Sequence, residues 1–116
     1  MANTFKLKTK ANISTSNFES VYNVPPDVDS AIVLGLILSN KANASISASV
    51  NLNTNTSDNT EVNENVTLLH NITVPEGSTL EMFAGQKLVL QKYDSLLVKC
   101  DAENSLDVAL SILEVD

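Results

Sequence analysis

The chain has 116 residues, with 14 Asp and Glu against 7 Lys and no Arg, for a net charge of −7 and a pI near 4.5. That balance argues against nucleic acid as a partner, because neutralising phosphates drives such binding. The length is that of a single domain spanning 1–116, able to bury a core without covalent staples.

Cys100 is the only cysteine, which excludes an intrachain disulfide and reads as a small buried apolar residue. The opening Met1-Ala2-Asn3-Thr4-Phe5-Lys6 lacks the apolar stretch of a secretory signal, so folding in a cytoplasm is expected. The sequons at Asn12, Asn43, Asn55, Asn65 and Asn71 then read as chance products of an Asn-, Ser- and Thr-rich chain.

The first element is Phe5 to Lys10, which alternates strictly. Its pattern predicts a half-buried strand with Phe5 and Leu7 inward and Lys6, Lys8 and Lys10 outward. The lysines would guard a sheet edge on a solvated face, or meet an acidic neighbouring subunit. Ala11 to Asn17 is turn-like, and Phe18 to Val24 is extended until Pro25-Pro26, which cannot donate to a ladder.

Ala31 to Leu38 follows, an apolar run well short of the roughly 20 residues a membrane-spanning helix needs. It reads as the central strand, with one face on the core and the other covered by the fold or by a partner. After a turn at Asn40 to Asn43, Ile46, Ala48, Val50 and Leu52 alternate with Ser45, Ser47, Ser49 and Asn51. This predicts an antiparallel strand with one wet or subunit-facing side. Residues 53–64 are almost wholly polar and form the longest loop or an extended hairpin tip.

Further strands are predicted over 66–74, 79–83, 87–90 and 95–100, separated by turns at Pro75-Glu76-Gly77, Ala84-Gly85-Gln86 and Lys92-Tyr93-Asp94. The tail Ser105 to Val115 fits helical spacing through Leu106, Ala109, Leu110 and Leu113. It also fits a period of two through Leu106, Val108, Leu110 and Ile112, and the procession of short strands before it favours a strand. About nine short strands without a convincing helix make an all-β, antiparallel β-sandwich, immunoglobulin-like or jelly-roll.

No constellation points to catalysis. His70 is the only histidine and shares the parity of Leu68 and Ile72, so it reads as a core or interface residue rather than a base. One His and one Cys far apart give no zinc spacing, and Asp58, Glu61 and Glu64 do not form a calcium loop. Gly35, Gly77 and Gly85 are isolated and cradle no phosphate. The expectation is a protein with no cofactor, no metal and no enzymatic activity. A sugar-binding module would have to draw on Phe5, Phe18, Phe83, Tyr22 and Tyr93, or on the polar 53–64 loop.

The segments Val74-Pro75-Glu76-Gly77-Ser78-Thr79-Leu80-Glu81, Gly85 to Leu90, Tyr93 to Lys99 and Ser105 to Glu114 carry a turn-and-strand pattern. With Val21 to Pro25 upstream, this pattern resembles small structural proteins of tailed bacteriophages, of the marine and cyanobacterial type. Lys92-Tyr93 stands where the pattern has a small residue and Gly before Asp94. The resemblance implies a non-enzymatic virion component assembled in a host cytoplasm. It would be a head decoration or cement protein, a neck-collar accessory, or a tail or fibre accessory involved in host attachment. Its partners would be copies of itself, for instance in a trimer, and capsid, neck or tail proteins, with no nucleic acid and no membrane. Lys6, Lys8, Lys10, Ile32, Leu34, Leu36 and Leu38 are the expected interface residues.

Overall fold

The computed structural model describes residues 3–54, 57–58, 61–83 and 86–116. Among the described residues, eleven strands are formed by β1 Asn3–Lys10, β2 Glu19–Asn23, β3 Ser30–Asn40, β4 Ile46–Asn53, β5 Ser57–Asp58, β6 Glu61–Val62, β7 Val66–Val74, β8 Thr79–Met82, β9 Leu88–Gln91, β10 Ser95–Cys100 and β11 Leu106–Val115. One sheet runs β1-β11-β3-β8, with β9 also on β3, and the other runs β2-β10-β4-β7. All pairings are antiparallel, and β5 and β6 form a separate small ribbon.

The pairing is nested. β1 meets β11, β2 meets β10, β3 meets β8 and β9, and β4 meets β7. The chain is therefore one long hairpin, with β5 and β6 near its tip, rolled so that successive nested strand pairs alternate between the sheets. The β11–β3 and β10–β4 ladders hold the roll closed. This is jelly-roll connectivity, and it decides between the two sandwich topologies the sequence left open. An immunoglobulin sandwich keeps its first two strands in one sheet, whereas here β1 and β2 lie in opposite ones.

The core lies between the sheets. β11 contributes Leu106, Val108, Leu110 and Ile112, each at most 2% exposed, so period two wins over helical spacing in the tail. β4 contributes Ile46, Ala48 and Val50, and β10 contributes Leu96, Val98 and Cys100. Burying each large apolar side chain is worth about 1.5–3 kcal/mol, so these alternating strands fix which way each sheet faces.

β3 changes parity halfway. Ala31 and Val33 face the core, then Leu36, Leu38 and Asn40 do. The cause is a bulge: Gly35 pairs with Ser111 and Val33 with Ile112, leaving Leu34 as the extra residue. The face predicted as Ile32, Leu34, Leu36 and Leu38 is therefore divided. Ile32 and Leu34 are half-buried, while Leu36 and Leu38, at 1% and 0% exposure, are sealed in the core and offer no surface to a partner.

β1 is reversed relative to the expectation. Lys6, Lys8 and Lys10 pair with Ile112, Leu110 and Val108 and so share the inward parity of β11, whereas Phe5 and Leu7 point outward at 75% and 66% exposure. As an edge strand, β1 lies at the margin of the sandwich. Lysine stems can cover such a margin while their ammonium groups reach water or an anion.

Two turns share one geometry. Ser78 N–H donates to Pro75 O at 3.1 Å with Gly77 at φ +66°, and Asp94 N–H donates to Gln91 O at 3.0 Å with Tyr93 at φ +69°. A positive φ at the third turn position favours glycine, and Gly77 supplies it where Tyr93 does not. Asn40, 2% exposed, fastens the end of β3. Its Nδ2 donates to Ala44 O, Val74 O and Pro75 O at 2.9, 3.0 and 3.2 Å, and its Oδ1 accepts from Ala42 N at 2.8 Å.

Candidate assembly surfaces

Glu114 continues the inward parity of β11 beyond Ile112 and is 4% exposed. A carboxylate there needs hydrogen-bond donors or a counter-charge to offset its lost hydration. Lys6 Nζ lies 2.8 Å from its Oε1, and Tyr22 Oη donates to its Oε2 at 2.6 Å. Burial pushes the carboxyl pKa up, but the Lys6 and Tyr22 hydrogen bonds and the charges of Lys6 and Lys8 outweigh this and hold it below its ordinary value. Burial, then the bond to Glu114, pushes the Tyr22 phenol well above its own. The bond to Glu114 likewise raises Lys6. Three strands, β1, β2 and β11, are thereby tied together across both sheets.

That latch sets the outer face of the first sheet. With Lys6 turned to Glu114, its neighbours Phe5 and Leu7 must point the other way. The ladders then place Phe5 opposite Leu113, Leu113 opposite Ile32, and Ile32 opposite Val89. The result is an apolar row across four strands. Phe5 and Val89 are 75% and 58% exposed, and Ile32 and Leu113 are half-buried. Leu7 and Ile37, also exposed, extend the face.

The outer face of the second sheet has the opposite character. Ser47, Ser49, Asn51, Ser95, Leu97 and Lys99 are its outward residues on β4 and β10, polar except for the half-buried Leu97, as the alternation over 45–52 predicted for β4. Two register shifts in the β4–β7 pair, between Ala48 and Val50 and between Val50 and Asn51, distort β7, where Asn71 adopts φ +49°. They also carry His70 off the apolar parity, so it is exposed rather than in the core. Asn71 folds over Ser49, donating from its backbone N to Ser49 Oγ at 2.9 Å, and Ser49 is left only 6% exposed on a nominally wet face.

An open cleft of about 600 Å³ results, with Ser47, Ser49 and Asn51 among its floor residues, Phe18 and Lys99 on one side, and Thr67 and His70 on the other. Cys100 is buried beside it. Its Sγ donates to Ala102 O at 3.2 Å and to Ile13 O at 3.4 Å, and burial raises the thiol pKa.

Of the expected interface residues, Lys6 is engaged by Glu114, Lys8 is half-buried beside it, and Lys10 is exposed. Ile32 belongs to the apolar row, and Leu34 is the bulge residue. Sequence reasoning missed Phe5, Leu7, Val89 and Leu113. A signal was present in Glu114, an acid on the inward parity of β11 that calls for a cation from a neighbouring strand. Among the described residues, no group of three or more His, Cys, Asp or Glu side chains is placed to hold a metal. Residues 55–56, 59–60 and 84–85, with the side chains of Asp58 and Glu61, lie outside the described residues.

The chain is thus an all-β jelly roll with one apolar and one polar outer face. No family model matches it, and no curated protein matches it in sequence. It is similar in structure to a chain of the T13 infectious bursal disease virus particle, with a TM-score of 0.58 and 11% identity over 97% of this chain and 31% of that one. A chain of the Gx strain of that virus gives a TM-score of 0.55 and 8% identity, over 97% and 33% of the two chains. A subunit of Bacillus endospore appendages, described as disulfide-linked pili, aligns at a TM-score of 0.47 with 11% identity over 98% and 87%. This chain spans about a third of the length of the viral chains it resembles. What the viral pair shows is a shared fold.

Proposed function

We propose that this protein is a non-enzymatic structural subunit of a virion, a single domain that acts by contact with copies of itself and with other virion proteins. The observation that carries the reading is the apolar row Phe5–Leu113–Ile32–Val89 on the outer face of the first sheet. A contiguous apolar patch with large exposed side chains is costly on a free surface and marks a contact. Closed symmetric assembly is the usual way such a patch is covered. The viral particle chains that share the fold support this reading, and so does the resemblance of the turn-and-strand pattern to tailed-phage structural proteins. Within the virion, a head decoration or cement role, or a neck-collar one, suits a small sandwich that adds to an existing lattice. Capsid, neck or tail proteins would be the neighbours, and assembly would take place in the host cytoplasm.

Electron microscopy of virions with the chain labelled, by antibody or gold-binding tag, tests the reading. Label at symmetry-repeated positions on the head or neck is expected. Particles that carry the chain in no fixed position, or lack it, would contradict the proposal.

A further inference from the structure

The cleft on the outer face of β2-β10-β4-β7 carries chemistry that a subunit contact does not use. Its lining is rich in neutral hydroxyls and amides, from Ser47, Asn51, Thr67 and Asn71, with the Phe18 ring as an apolar wall. The charged groups in it are already engaged. Lys99 Nζ sits 5.7 Å from the centroid of the Phe18 ring, and Asp101 Oδ1 accepts from Ser47 N at 2.8 Å. One cation and one anion balance, and the whole chain is acidic, so an anionic ligand is disfavoured.

We propose that this cleft binds a neutral oligosaccharide. Sugars present hydroxyls that both donate and accept, which matches Ser, Thr and Asn side chains that do the same. Their C–H faces suit an aromatic wall such as Phe18. A volume of about 600 Å³ falls in the range of small-ligand sites, and the open geometry admits a chain longer than the site itself. The polar loop over 53–64 is not needed. The site shares no residue with the apolar row, so it stands or falls apart from the assembly role.

The test is a glycan array probed with the labelled protein, followed by saturation-transfer NMR with free trisaccharides bearing the terminal units of the brightest spots. Binding to a related set of neutral glycans is expected. Thr67→Arg, at an exposed edge position, should fill the cleft and lower binding at least tenfold while leaving the melting temperature unchanged. Phe18→Ala should lower it as well. No neutral glycan bound by the folded wild-type chain would overturn the proposal, as would binding that survives Thr67→Arg. Preferential capture of sulfated or sialylated glycans would overturn the neutral-ligand assignment. The sedimentation behaviour of Thr67→Arg should match that of wild type, which separates this outcome from any failure of assembly.

Discussion

Glu114 shows how a single side chain sets the orientation of a strand. Its carboxylate is buried, and only the hydrogen bonds from Lys6 and Tyr22 make that tolerable. Because its folded pKa lies below the ordinary 4.5, the folded state binds the proton less readily than the unfolded chain. The stabilisation is therefore complete above the ordinary value and is lost as pH falls through the folded one. Asp107 behaves alike, lowered first by the Asn12 N–H at 3.0 Å and then by Lys41 at 2.9 Å. Urea melts across pH 3–7 should show stability falling on the acid side. Glu114→Gln should be less stable at pH 7 and have a shallower acid limb, and parallel curves would refute the latch. A second residue-scale prediction concerns Tyr93, held at φ +69° where Gly77 occupies the equivalent position of a matching turn. A non-glycine residue there carries about 1–2 kcal/mol of strain. Tyr93→Gly should raise stability by up to about 1 kcal/mol, read as a higher urea midpoint with an unchanged slope.

Among the elements, β4 and β11 were legible because one parity is apolar without interruption from Ile46 to Leu52 and from Leu106 to Ile112. Val50 is the case in point. At 0% exposure between the sheets, Val50→Asp should cost more than about 3 kcal/mol, and an unchanged melting temperature would contradict the placement. β1, β3 and β7 were misread for physical reasons visible in particular residues. The apolar run of β3 reads the same on either parity, so the bulge at Leu34 left no trace in composition. In β7, the irregular register that displaces His70 belongs to the pairing with β4 rather than to either strand alone. In β1, the lysine parity turns toward β11 because Glu114 supplies a buried counter-charge to Lys6, and Phe5 and Leu7 are left outward although the lysine side chains stay largely in water. Rows that cross four strands depend on all of these registers at once, which is why the apolar face and the polar cleft could not be assembled from the chain order.

For the molecule as a whole, the nested hairpin leaves two outer faces of opposite character on a body with principal extents of 47 × 28 × 23 Å. The polar face can remain in water, while the apolar face gains by being covered, since each square ångström of apolar surface removed from water contributes about 25 cal/mol. The measurement that bears most directly on this is sedimentation equilibrium over a wide concentration range, on wild type and on Phe5→Glu with Val89→Glu. Both substituted side chains are exposed, so folding should be spared. The wild type should associate into a closed oligomer, and the double variant should sediment as a folded monomer. A wild type that stays monomeric at the highest concentrations, or a variant that associates as well as wild type, would contradict the account.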